Sequence, residues 1–278
     1  MNAAHAMLIA ALQGATELFP VSSLGHAVVL PALVNWAIDQ RSPEFLPFLV
    51  LLHLGTAVAL LGYFWRDWLA LALGVLGVSG PQRTRESRRT FMLIVIATIP
   101  AVIIGFVLEK FVRGLFGSPV VAASFLIVNG VMLIAAERLR TRAIATRPMA
   151  TLGVVDAVVI GFWQCLALIP GISRSGATIV GGLLRGVDHA GSAHFSFLIA
   201  TPIILGATVL EVPKLLHESV PPGVFQTAAL AAVVAGVVAW LSTAFLMRYF
   251  RQHEQVGLNP FGVYCIAFGA VALGIILT

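Results

Sequence analysis

Charge is what this sequence has least of. Asp, Glu, Lys and Arg together make 10% of its 278 residues, where a soluble globular domain carries about 25%. With 59% hydrophobic residues, that scarcity excludes an ordinary soluble domain. Cysteine is nearly absent too. Cys165 and Cys265 lie inside apolar runs and form no C-x-x-C pair, so a disulfide frame or a thiolate metal site is excluded and both read as small buried hydrophobes. No Lys or Arg precedes Arg41, so residues 1–20 lack the positive region of a secretory signal and are not expected to be cleaved. There is no H-E-x-x-H, and no Walker loop, because neither Lys110 nor Lys214 follows glycine. The net charge of +5 does not argue for a nucleic-acid partner. Its arginines gather in loops, which is what the positive-inside rule expects of any membrane protein.

What fills the chain instead is long apolar runs, some broken and some not. A crossing helix needs about 20 apolar residues. The first run, roughly residues 6–38, is interrupted at Phe19–His26, which leaves two arms of about 14 residues, too short to cross. Short arms around a Pro/Ser/Gly break predict a re-entrant hairpin, whose irregular backbone must face protein or a water-filled cavity. Full spans are expected near Phe45–Trp65, Phe91–Glu109 and Pro119–Ala136. A basic connection follows, with Arg138, Arg140, Arg142 and Arg147. A second interrupted run covers about 151–186, broken at Pro170–Thr178, and three more spans follow near Ala193–Leu210, Val224–Met247 and Leu258–Leu277.

The expected architecture is therefore all-α and polytopic, a single membrane domain over 1–278 in two repeats, about 1–137 and 150–278. Each repeat is a re-entrant hairpin plus three crossings. A hairpin returns to its own side and three crossings do not, so the second repeat must be inverted relative to the first. Twelve Lys or Arg fall on one side (Arg66, Arg83, Arg85, Arg88, Arg89, the four of 138–147, Arg185, Arg248 and Arg251) and four on the other (Arg41, Lys110, Arg113, Lys214). The richer side is expected to be cytoplasmic, with both termini and the first hairpin facing outward and the second hairpin entering from the cytoplasm.

Few polar groups fall deep in apolar sequence, and they cluster at the two breaks. Glu17 follows Gln13 by four residues, on one helical face. Ionisable groups inside a membrane read as functional by default. Ser22 and Ser23 stand where capping hydroxyls belong, so one is expected to cap and the other to act. His26 follows them by four and three residues. In the second break Gly171 and Gly176 allow turns that aim backbone N–H groups into a concavity, and a helix N-terminus is expected at Ser175. Such nests bind phosphate-like anions. Arg174 adds a planar fork for phosphate oxygens, and Ser173, Ser175 and Thr178 are short donors beside it. His53, His194, Asp156, Glu211 and Asn129 read as packing or capping residues. The phosphatidic-acid type of membrane phosphatase carries S-R followed six residues later by His; position 180 here is Val, which excludes it.

With these residues in view, the sequence resembles the undecaprenyl-diphosphatase (bacitracin-resistance) family. The match lies in Gln13-x-x-x-Glu17, in Leu18 through His26 (L-F-P-V-S-S-L-G-H) and in Gln164 through Ile169 running into Pro170–Thr178. It continues in Phe195-Ser196-Phe197-Leu198 and Pro260-Phe261-Gly262-Val263-Tyr264. Gln13 stands where many members have Glu. The resemblance implies hydrolysis of undecaprenyl diphosphate, a polyprenyl diphosphate lipid, to the monophosphate carrier of cell-wall synthesis, with Mg²⁺ or Ca²⁺ as cofactor, in a bacterial inner membrane.

On that reading Arg174, Gly171, Ser173, Ser175, Gly176 and Thr178 clamp the diphosphate. Glu17, helped by Gln13, holds the cation or acts as base. His26, Ser23 or water is the nucleophile, and Ser22 contributes to binding. A lipid-phosphate flippase or secondary transporter could use the same clamp without cleaving anything. Oligomeric state is not legible, and a homodimer stays open.

Overall fold

Two short helical hairpins sit among longer apolar helices. The computed structural model describes residues 3–34, 36, 45–115, 117–140, 146–217, 224–254 and 257–278. Arg41 and Arg142, counted above, lie outside them, as do the side chains of Arg113, Glu211 and Lys214. The first hairpin is α1 (Ala3–Thr16) and α2 (Ser23–Leu33). The helices α3 (Phe45–Tyr63), α4 (Trp65–Val75), α5 (Pro81–Val107), α6 (Glu109–Leu115) and α7 (Pro119–Arg140) follow. The second hairpin is α8 (Val154–Cys165), a short 3₁₀ turn over Leu166–Leu168, and α9 (Arg174–Leu184). The chain closes with α10 (His189–His217), α11 (Val224–Gln252) and α12 (Asn259–Leu277).

Five helices among the described residues are long and apolar enough to cross a membrane, and α3 with α4 makes a sixth. Five or six candidate crossings and two pairs of short apolar arms match the unbroken and broken runs. The region after the first span differs. The chain does not pass into a loop at Trp65; it bends by 76° into α4. Trp65, Leu69, Leu73 and Leu76 are exposed along one side of it, a spacing of three to four residues that makes an apolar stripe. The next helix then begins ten residues before the expected Phe91, at Pro81. Proline is tolerated in a first helical turn because its missing N–H has no partner to lose there.

Small residues bring the helices together. Gly130 of α7 faces the backbone of Gly262 on α12, Gly55 of α3 lies directly on Ala232 of α11, and Gly14 of α1 lies on Ala235 of α11. Gly161 of α8 meets Ala97 on α5. Between membrane helices the attraction is packing and hydrogen bonding rather than exclusion of water, so close backbone approach is the main gain. Helix α1 packs on α11, α8 packs on α5, α3 packs on α10, and α7 packs on α12.

The basic residues are tied down in two groups. Arg147 and Arg185 both reach Asp156 at 2.7 Å, and Arg89 donates to Leu152 O at 2.6 Å. Arg140 pairs with Glu254, while His189 meets the buried Glu137 at 2.9 Å. Asp156 thus has the capping role expected of it, since its carboxylate also accepts from Gly153 N at 2.9 Å.

Candidate active site

The first hairpin supplies an acid and a hydroxyl. Helix α1 ends at Thr16, but Glu17 N still donates to Gln13 O at 2.9 Å, so Gln13 and Glu17 keep their common face. Gln13 Nε2 donates to Glu17 Oε2 at 3.1 Å. The turn that follows bends at Ser22, which has φ 68°, the one positive φ outside glycine among the described residues. Such a torsion costs of order 1–3 kcal/mol in a residue with a side chain. It lets Ser22 Oγ accept from Gly25 N at 3.2 Å and cap α2. Ser23, relieved of capping, donates its hydroxyl to Glu17 Oε2 at 2.6 Å.

The second hairpin supplies the cation. Ser173 Oγ accepts from Gly176 N at 3.1 Å, so α9 starts at Arg174, one residue before the expected Ser175. Arg174 Nη2 lies 3.2 Å from Glu17 Oε1, and Nη1 donates to Ser196 O at 3.3 Å. Its Nε is buried and has no partner. The two breaks meet backbone to side chain. Ser175 Oγ donates to Phe19 O at 3.1 Å, and Asn129 of α7 donates to Pro20 O at 2.9 Å while accepting from Ser173 N at 3.0 Å. Asn129, read from sequence as packing, therefore joins both hairpin tips.

A cavity of about 250 Å³ opens at this junction, and its lining is mostly apolar. Glu17, Ser22, Ser23, Ser173 and Arg174 line it. The other sequence candidates stand behind it. Gly171, with φ 102°, packs against Ala122 of α7, and Gly176 packs against Pro20. Thr178 Oγ1 bonds Ser196 Oγ at 2.6 Å, and Ser175 is spent on the first break. His26 is turned away from the acid. Its Nδ1 lies 2.7 Å from Ser22 O, its Nε2 lies 2.8 Å from Tyr264 Oη, and its ring stacks on Phe268.

Two lining residues were not singled out as site residues from sequence. Gln164 of α8 donates to Ala97 O at 3.3 Å, and its carbonyl oxygen is buried without a partner. His53 of α3 places Nε2 3.3 Å from Glu17 Oε2. A signal for His53 existed: an ionisable group in the middle of an apolar span is functional by the same rule that picked out Glu17.

Whether the site suits a divalent cation can be judged from its donors. Glu17 Oε1 already faces Arg174, and Oε2 faces Ser23, Gln13 and His53. No cluster of three or more His, Cys, Asp or Glu that could hold a metal occurs among the described residues. Gln13 Oε1, however, is buried and unpartnered. Hard cations take about six oxygens and often borrow several from substrate phosphates and water. Glu17 and the Gln13 carbonyl are donors of the kind a hard cation takes, and are too few to hold one alone.

Comparison with known proteins shows the family. A family profile described as "Bacitracin resistance protein BacA" matches residues 6–271. This chain belongs to the BacA family. Among its relatives, the protein named undecaprenyl-diphosphatase of Granulibacter bethesdensis is 64% identical, over 98% of this chain and 96% of the relative. The protein of the same name from Acidiphilium cryptum is 58% identical, over 96% of each. Undecaprenyl-diphosphatase 2 of Chromobacterium violaceum is 46% identical, over 98% of each. The BacA match spans both breaks, so Glu17, Ser23, His53, Gln164 and Arg174 all fall within it.

Proposed function

We propose that this membrane protein is a phosphatase that hydrolyses undecaprenyl diphosphate to undecaprenyl phosphate and inorganic phosphate, recycling a carrier lipid for cell-wall synthesis. The observation that carries the reading is the 2.6 Å hydrogen bond from Ser23 Oγ to Glu17, with Arg174 on the same carboxylate. A hydroxyl on a carboxylate is a nucleophile with its base in place. An arginine beside it supplies the charge that a transferring phosphoryl group needs. The relatives' printed names supply the substrate. The mostly apolar cavity wall suits the isoprenoid end of such a lipid.

In this mechanism the terminal phosphate takes Arg174 as its donor. Glu17 accepts the Ser23 proton as Oγ attacks the terminal phosphorus. The bond from that phosphorus to the bridging oxygen breaks, Glu17 gives the proton to that oxygen, and undecaprenyl phosphate leaves. Water, deprotonated by the freed Glu17 carboxylate, then attacks the phosphoserine; inorganic phosphate is released and Glu17 returns the proton to Ser23 Oγ. Glu17 and Gln13 are the residues that would hold a Mg²⁺ or Ca²⁺ ion, which would supply charge neutralisation. His26 is a weaker nucleophile candidate, because both its ring nitrogens are engaged away from the cavity. Acid quenching of turnover with terminally labelled substrate tests this. An acid-stable, alkali-labile phosphoenzyme is expected; an acid-labile one would move the role to His26, and none would move it to water.

The two halves are read as inverted repeats in a bacterial inner membrane, with both termini and the cavity towards the periplasm. A flippase would use the same clamp but has no use for the Ser23–Glu17 pair. Phosphate release by the purified protein separates the two readings.

A further inference from the structure

We propose that His53 is a positioning residue for this reaction, holding the Glu17 carboxylate against Ser23. The proposal rests on the reading of Glu17 and Ser23 given above. Glu17 sits just past the end of α1, where the backbone bond from Glu17 N to Gln13 O is the last of the helical kind before the turn into α2. Three groups converge on its Oε2: Ser23 Oγ at 2.6 Å, Gln13 Nε2 at 3.1 Å and His53 Nε2 at 3.3 Å. Gln13 and Ser23 belong to the same hairpin as Glu17 and move with it. His53 comes from a separate span and braces that oxygen from outside.

The brace is itself oriented. His53 Nδ1 lies 2.7 Å from Leu49 O, one turn back along α3. Leu49 O and the Glu17 carboxylate both only accept, so Nδ1 and Nε2 both donate and the bracing ring is the doubly protonated imidazolium. The helix that carries the ring is also keyed in place. Gly55 of α3 rests on the backbone of Ala232 in α11, so α3 has no room to shift toward that helix. On the opposite oxygen, Arg174 pulls toward the second hairpin at 3.2 Å. Without His53 the carboxylate is free to swing toward Arg174 and leave the Ser23 hydroxyl. A displacement of about 1 Å in a reacting geometry can cost about 100-fold in rate. The His53 side chain is 26% exposed, so it stands at the cavity edge and acts through Glu17.

The test is phosphate release by the full chain, purified in detergent, from undecaprenyl diphosphate. His53→Ala, His53→Gln, His53→Asn and Glu17→Ala are compared with wild type. A glutamine amide nitrogen reaches about where Nε2 stands and can donate to Oε2; an asparagine nitrogen falls short. His53→Ala and His53→Asn are expected to lower kcat by about 10- to 100-fold with KM within about twofold, and His53→Gln to recover most of the loss. Thermal melting separates this from misfolding. Should His53→Ala not fold, the Gln and Asn pair still carries the comparison. The proposal is overturned if His53→Ala keeps more than half of wild-type kcat while Glu17→Ala is inactive. It is equally overturned if the loss lies in KM, or if folded Gln and Asn variants behave alike. Wild-type protein that releases no phosphate overturns the phosphatase reading itself.

Discussion

Ser22 has φ 68° and caps α2, and that one torsion decides which of two adjacent serines faces Glu17. The division gives separable predictions. Ser22→Ala should cost about 1 kcal/mol of stability, the usual worth of a serine cap, visible as a lower melting temperature. Ser23→Ala leaves Gln13, His53 and Arg174 on the carboxylate and should fold normally. Phosphate release should nonetheless drop on the order of a thousand-fold or more, as for other nucleophile deletions. Sequence could say only that one serine caps and the other acts, because the choice depends on backbone torsion rather than residue type. Glu17 and Arg174 were legible because a charge in an apolar run has few structural excuses. His53 was harder to place. Its partner is 36 positions earlier in the chain, and no local pattern joins a residue in an unbroken span to a turn in a broken one.

Helix boundaries follow the same division. The hairpins were legible because their breaks leave arms too short to cross, while α4 was not, because the charged Arg66 and Asp67 end the apolar run at the bend. Contacts between helices are tertiary and show in the glycines. A side chain at Gly130 meets the backbone of Gly262, whereas one at Gly274, in the same partner helix α12, meets nothing within 4 Å. Gly130→Val should therefore destabilise the α7–α12 pair by about 1–3 kcal/mol, and Gly274→Ala should be neutral or stabilising, both read by thermal unfolding in detergent.

Asp156 makes an element-scale prediction about pH. It lies at the start of α8, outside the full spans. Burial pushes its carboxyl upward, but hydrogen bonds from Arg147, Gly153 and Arg185 outweigh this and hold it below the ordinary carboxylate range. A depressed value means stability that is complete above the unfolded-state value, about 4, and is lost as pH falls below it toward the folded value. The melting temperature should hold down to about pH 4 and then fall. Asp156→Asn should melt lower at pH 7 and lose less on acidification.

At the scale of the whole molecule, the proposed orientation can be measured directly. The basic residues Arg83, Arg85, Arg88 and Arg89 all lie in the first turns of α5. With Cys165 and Cys265 replaced by serine, a cysteine at Gln82 should resist an impermeant thiol reagent in intact cells. A cysteine at Thr278 should react; the reverse pattern would invert the protein. The two halves also share one small fastening. The Asn129 amide donates to Pro20 O and accepts from Ser173 N, touching the tip of each hairpin at about 3 Å. Prising the tips apart leaves those buried groups unpaired, at about 1–3 kcal/mol each. The separated arrangement is then roughly thirty-fold to twenty-thousand-fold rarer than the joined one. In mechanical terms Asn129 removes a degree of freedom. Chemistry at a fixed point loses nothing by it, whereas a rocking carrier must undo the stitch on every stroke.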